Sequence, residues 1–330
     1  MGQRESEVPV RYRMFGRTHL QVSEIGYGAW GIGGKQWIGA EDHESVRALE
    51  AAIECGCNFI DTALAYGDGH SEQLVGAVWK RHPRVIVATK VPPKNWIWPA
   101  RPGVPISEVF PFDWIVSCTE RSLSNLAADH VDIQQFHVWS PEWLEADDWR
   151  RAIEKLKKEG KARFFGISVN DHQPASVIPA IRTGAIDTIQ VIYNLFDQSP
   201  GDALFPLCLE REIGVIARVP FDEGGLTGKI RPDTTFPPGD FREGYFGGSR
   251  KKQVWERVEK LRPVVEGAGA SLPDAALRFC LSHPAVSTVI PGMRTVEHAR
   301  ENCAASGRGP LPAAVLEQLK QHRWVRNFYD

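Results

Sequence analysis

Four residues of different chemical type stand at or just beyond the ends of short apolar runs in this chain. Asp61 closes Asn58-Phe59-Ile60-Asp61, Lys90 closes the run 85–90, and His137 follows Ile133-Gln134-Gln135-Phe136. Tyr66 lies just past Asp61, in Thr62-Ala63-Leu64-Ala65-Tyr66-Gly67. Alone, each has an ordinary structural explanation: a strand-end Asp caps, a Lys snorkels to water, a His is satisfied within the fold. Together at successive strand ends they make a coupled proton-donor set. A free phenol has a pKa of ~10 and is a poor acid at neutral pH. A nearby ammonium favours the phenolate and lowers that value, and a carboxylate paired with the ammonium keeps it charged and in place. Tyr66 would then protonate an alkoxide as it develops, with His137 hydrogen-bonding the same oxygen. Lys90 is also a candidate Schiff-base nucleophile for a lyase, but pairing with Asp61 disfavours that reading by keeping it protonated.

Such a set forms only if the strand ends converge. Eight apolar runs, 24–29, 58–61, 85–90, 131–138, 162–168, 188–192, 215–219 and 288–290, are short, mostly β-branched or aromatic, and bounded by Gly, Pro, Asp or Ser. Helical patterns lie between them at 42–54, 71–79, 113–128, 147–159, 174–183, 203–212 and 250–267. Asp147 is placed to cap the fourth of these and Gly160 to end it. Continuous apolar strands alternating with helices indicate a parallel sheet covered on both faces, and about 33 residues per unit is the scale of a (β/α)8 barrel. The connections 91–112 and 220–248, after the third and seventh strands, are long and aromatic. They follow strand ends, where barrel sites are built, and their aromatics either line a pocket or pack to hold the loops down.

The chain has 330 residues, 39 basic and 41 acidic, for a net charge of -2, so no charge footprint for nucleic acid or an anionic membrane exists. It contains no apolar run long enough to span a bilayer, and its polar start lacks an apolar signal region, which points to a cytoplasmic protein. No Pro/Ser/Gly-rich linker divides it, so one domain over 1–330 is expected. The six cysteines are scattered except for Cys55 and Cys57, and are expected to be buried free thiols rather than a metal site or disulfides. Gly26-Tyr27-Gly28-Ala29-Trp30-Gly31 matches a dinucleotide fingerprint, but that mechanism needs a helix to open at the turn, and none can begin before about Asp42. A Gly-rich strand end that lets a ligand approach the backbone is the reading that remains.

These residues resemble the aldo-keto reductase family. The resemblance rests on Asp61-Thr62-Ala63 with Tyr66-Gly67, Thr89-Lys90, and Asp132 with Gln135-Phe136-His137. It continues through Gly166-Ile167-Ser168, Gln190 with Tyr193-Asn194, Gly224-Gly225-Leu226-Thr227-Gly228-Lys229, and Ile290-Pro291-Gly292 with Glu301-Asn302. It implies a (β/α)8 barrel with an N-terminal hairpin that binds NADPH, in preference to NADH as the alternative cofactor, across its mouth and reduces an aldehyde or ketone, or runs the reverse oxidation. Position by position, it makes Tyr66 the general acid, tuned by Lys90 and Asp61, with His137 orienting the carbonyl. Gly28, Ala29 and Trp30 would lie beside the nicotinamide ribose, and Ser168, Asn170 and Gln190 would hold the carboxamide. The loop residues Pro220, Gly225, Leu226, Gly228 and Lys229 would follow the cofactor, with Ile290, Gly292, Arg294, His298, Glu301 and Asn302 at the adenosine end.

Three positions depart from the family pattern. Val169 intervenes between Ser168 and Asn170; Arg218 stands where a stacking aromatic is common, able to stack on a flat ring or to meet phosphates; His298 stands where a longer side chain is common. Trp30, Trp96, Trp98, Trp139 and Phe221 would line the substrate pocket, suiting aromatic aldehydes or sugars alike. Relatives that serve as channel-associated subunits make a non-enzymatic, cofactor-sensing role the alternative. No metal is implied.

Overall fold

The computed structural model describes residues 10–328; the polar start at 1–7 lies outside them. A hairpin of β1 (Tyr12–Met14) and β2 (Gln21–Ser23), paired antiparallel, opens the fold. Eight parallel strands follow: β3 (Tyr27–Gly28), β4 (Phe59–Asp61), β5 (Ile86–Val91), β6 (Val131–Phe136), β7 (Ala162–Ser168), β8 (Thr188–Ile192), β9 (Gly214–Arg218) and β10 (Thr288–Val289). Each pairs with the next in chain order, and bridges Ile25 to Val289 and Gly28 to Gly292 join last to first. The eight expected runs therefore close into the expected (β/α)8 barrel. Closure is tight at Gly28, where a Cβ would sit 2.7 Å from the Ile290 carbonyl oxygen.

Period-two alternation divides every barrel strand between two cores. Phe59, Ile86, Ala88, Ile133, Ile216 and Ile290 point inward and cluster with Phe15 and Val22, so the N-terminal hairpin plugs the base. Their neighbours Ile60, Val87, Val215, Ala217 and Val289 point outward into the larger core beneath the helices. Two residues further along the inward face come Asp61, Lys90, Gln135, Arg218 and Gly292. Thus apolar packing at the base dictates which side chains reach the mouth.

Around the barrel run α1 (Asp42–Glu54), α2 (His70–Trp79), α3 (Ile106–Val109), α4 (Phe112–Leu126), α5 (Asp147–Lys158), α6 (Ile178–Arg182), α7 (Leu204–Glu210), α8 (Phe241–Tyr245), α9 (Arg250–Gly267), α10 (Leu272–Leu281), α11 (Val296–Arg308) and α12 (Ala313–Lys320). α5 buries Trp149, Ala152, Ile153 and Leu156, a helical stripe, with lysines in its last turn where the dipole favours them. Its cap differs from expectation: Ala146 holds the N-cap position without a side-chain bond, and Asp147 is the first helical residue, complementing the dipole instead. Gly160 ends the helix at φ +70°. The region 174–183 is a 3-10 turn followed by the short α6, because Pro179 at the start of α6 interrupts regular pairing. α3, α8, α10, α11 and α12 were not among the expected helices. α10 is buried almost all round, so no polar face marks it.

The two long connections are as expected, with α3 inside the first and α8 inside the second. All six cysteines lie outside any disulfide, Cys55 half-buried and the rest buried. Among the described residues, no helix is long and apolar enough to cross a membrane.

Candidate active site

Lys90 is the centre of the mouth and is fully buried. Its Nζ donates to Asp61 Oδ1 at 2.6 Å, to the Thr62 carbonyl at 2.7 Å and to Tyr66 Oη at 3.2 Å. The other Asp61 oxygen, Oδ2, accepts from Gln190 Nε2 at 2.7 Å and Gln135 Nε2 at 3.2 Å. Burial alone would lower the Lys90 pKa, but Asp61 and the Tyr66 oxygen outweigh it and raise it. Lys90 is therefore a fixed cation, which argues against a Schiff-base nucleophile.

Tyr66 lies on the turn after β4, where Gly33 packs against its backbone. Its ring stacks on Trp30 with centroids 6.2 Å apart and meets His137 edge-on at 5.8 Å. Its pKa corrects the sequence-based expectation. Burial raises it, Asp61 adds to the rise, and the attraction of Lys90 does not reverse the outcome. The ammonium that should activate the phenol is already neutralised by its carboxylate.

Burial, with Lys90 and Arg218 nearby, holds His137 well below the usual imidazole range, so it is neutral. Its Nδ1 is buried without a hydrogen-bond partner. An orphaned lone pair costs less than an orphaned N–H, so the proton belongs on Nε2.

The candidate cofactor residues form a rim around this centre. Ala29 donates its N–H to the Asp61 carbonyl at 2.9 Å, fixing the β3 end, and Trp30 Nε1 donates to Gln36 Oε1 at 2.7 Å. Ser168 ends β7. Asn170 is tied to protein: Oδ1 accepts from the Trp139 and Ala100 N–H groups at 3.3 and 3.4 Å, and Nδ2 donates to Gln173 Oε1 at 3.2 Å. Gln190 holds Asp61, as described. Arg218 reaches the Val169 carbonyl at 2.9 Å and pairs with Asp171. Pro220, Gly225 and Leu226 are buried beneath the loop after β9, Gly228 turns it at φ +73°, and Lys229 is exposed. Ile290 belongs to the interior core, and Gly292 beside it is exposed with open space around its α-carbon. Arg294 donates to the Ile38 carbonyl at 3.1 Å. Burial, then Lys229 and Arg294, lower the His298 pKa, which puts these three basic groups near one another at one end of the rim. Glu301 and Asn302 follow on α11, exposed and buried respectively.

Of the aromatic residues expected to line the substrate pocket, Trp98 lies 5.7 Å from His137 and also 5.7 Å from Trp96, and both tryptophans are substantially exposed. Phe221 packs on the core beside the mouth. Trp139 does not line the mouth: it is fully buried against Phe136, Trp143 and Trp149. The chain leaves β6 after Phe136, so the alternation that turns His137 inward has lapsed by residue 139. Gln135, Asp171 and Glu223 belong to the mouth; Gln135 was named from sequence only as part of a motif, without a role at the site, and the other two were not named. Gln135 was legible in principle, lying two residues before His137 on the same strand face. Among the described residues, no group of three His, Cys, Asp or Glu side chains could hold a metal ion.

The sequence model of the aldo/keto reductase family matches residues 24–323. The chain belongs to this family. As an aldo/keto reductase it is 30% identical over 322 residues to an oxidoreductase of Bacillus subtilis strain 168, covering 95% of this chain and 96% of that one. It is 30% identical over 306 residues to the NADH-specific methylglyoxal reductase of Escherichia coli K12, covering 88% and 91%. Among solved structures, an aldo-keto reductase of Klebsiella pneumoniae in complex with NADPH superposes with a TM-score of 0.72 at 25% identity, covering 97% of each chain.

Proposed function

We propose that this chain is an NADPH-dependent oxidoreductase that reduces an aldehyde or ketone to an alcohol, with Tyr66 as the proton donor. The observation that carries the reading is the buried Asp61–Lys90–Tyr66 chain of hydrogen bonds beside a neutral His137. The mouth suits a dinucleotide: bare glycine backbone with open space at Gly292, and the basic group of Lys229, Arg294 and His298 at one end. NADPH, when bound, supplies the hydride. The chain supplies the rest. His137 Nε2–H donates a hydrogen bond to the carbonyl oxygen and orients it. Tyr66 gives its hydroxyl proton to that oxygen as charge develops there, and the phenolate left behind is stabilised by Lys90. Asp61 keeps Lys90 charged, and Gln135 and Gln190 hold Asp61. The pair of exposed tryptophans Trp96 and Trp98, with Trp30, offers flat apolar faces to the substrate.

The test is a titration with NADPH and, separately, NADH, followed by a panel of carbonyl compounds. Binding of NADPH with its oxidation in the presence of a carbonyl is the expected result. Binding of neither cofactor would overturn the reading. Preference for NADPH rests on the basic end of the rim, so Arg294→Met should raise the Kd for NADPH about tenfold while changing that for NADH far less. Equal losses for both would place Arg294 away from the 2′-phosphate, as the NADH-specific relative allows.

A further inference from the structure

We propose that Gln135 is a positioning residue for the proton transfer: its amide N–H takes up part of the Asp61 charge and so frees Lys90 to stabilise the Tyr66 phenolate as it forms. This rests on the reductase reading above. Gln135 is completely buried on the inward face of β6, two residues above Ile133 of the apolar base. Its neighbours in register are Lys90 on β5 and Gly166 on β7. A Cβ on Gly166 would lie 3.3 Å from Gln135 Cγ and 2.2 Å from Thr188 Oγ1, so the glycine leaves the room that the long side chain occupies. An apolar residue would fill this position without burying an amide, which is costly unless the amide makes a hydrogen bond.

That hydrogen bond goes to the proton-transfer chain. Asp61 divides its two oxygens: Oδ1 accepts from Lys90 Nζ at 2.6 Å, while Oδ2 accepts from Gln190 Nε2 at 2.7 Å and Gln135 Nε2 at 3.2 Å. Lys90 has three N–H groups and three acceptors: Asp61, the Thr62 carbonyl and Tyr66 Oη. Tyr66 is the most distant of these, at 3.2 Å. Asp61 and Tyr66 thus compete for one ammonium. Donors on Oδ2 draw charge away from Oδ1 and loosen its hold on Lys90, leaving more of the cation for the phenolate. With one donor removed, Asp61 holds Lys90 more tightly and the phenolate forms less readily.

Two variants of similar shape separate the donor from the bulk of the side chain. Gln135→Leu keeps most of the volume and removes the donor. Its kcat for carbonyl reduction should fall about tenfold at every pH, the effect of a change of about one pKa unit, with KM for NADPH and for the carbonyl little altered. Gln135→Glu restores a donor only while the new carboxyl is protonated, and burial beside Asp61 raises that carboxyl above its usual range. Its kcat relative to the unaltered protein should therefore be greatest near about pH 6 and about tenfold lower by about pH 9. A side chain that only fills space would give the same ratio at every pH. Matching pH profiles for Gln135→Glu and the unaltered protein, or full kcat in Gln135→Leu, would overturn the proposal and leave the reductase reading standing. So would loss of NADPH binding by both variants, which would make Gln135 a residue of the fold alone. Failure of the unaltered protein to oxidise NADPH with any carbonyl would overturn both.

Discussion

At the scale of the residue, the phenol of Tyr66 is held protonated, a state suited to giving a proton away. Its pKa lies above the ordinary value of 10.0 because burial and Asp61 act against Lys90. The sign of the pH dependence follows. Reduction needs the neutral phenol, so at saturating NADPH its kcat should stay flat between about pH 7 and about pH 9 and fall only in stronger alkali. The reverse oxidation needs the phenolate and should climb roughly tenfold per pH unit across the same window. A reduction rate that fell through neutrality would mean that a group of lower pKa gives the proton. The sequence announced these four residues because each sits at or near a strand end on an inward-facing register. It could not announce what surrounds them. Gln135 and Gln190 reach Asp61 across 74 and 129 residues of chain, and the balance between burial and pairing exists only in three dimensions.

At the scale of the element, the loop after β9 is the least regular part of the mouth, and the end of the chain holds it down. Arg326 pairs with Asp222 while stacked on Trp324 and Phe328, at 4.4 and 4.3 Å from their ring centroids. Tyr245 donates its hydroxyl to the same Asp222 oxygen at 2.9 Å, and the Trp324 N–H donates to the Phe196 carbonyl at 2.8 Å. Breaking a buried pair from one side leaves an uncompensated charge and costs about 3–5 kcal/mol. Arg326→Met should therefore lower stability by roughly that amount and release NADPH faster, measured by stopped-flow fluorescence. Loss of stability with an unchanged release rate would show that the tail supports the fold without restraining the loop. The aromatic loop 220–248 was legible as a long connection, but its tether was not. The partners Asp222 and Arg326 are 104 residues apart in sequence.

At the scale of the whole molecule, barrel closure turns local patterning into a site. Phe15 and Val22 seal the base with the inward residues of the strands, and the same alternation carried upward delivers Asp61, Lys90, His137 and Arg218 to one mouth. The fold could therefore be read from eight short apolar runs. Trp139 escaped that logic because it lies beyond the strand, and α10 escaped because burial on nearly every side removed its polar face. The account's central claim is that a proton passes from Tyr66 to the substrate oxygen within this closed mouth. The most direct measurement is single-turnover carbonyl reduction by Tyr66→Phe beside the unaltered protein. Phe keeps the ring packing on Trp30 and His137 and removes only the hydroxyl. The account predicts a loss of ~10²–10⁴ in rate with the NADPH Kd unchanged. A rate near that of the unaltered protein would contradict it.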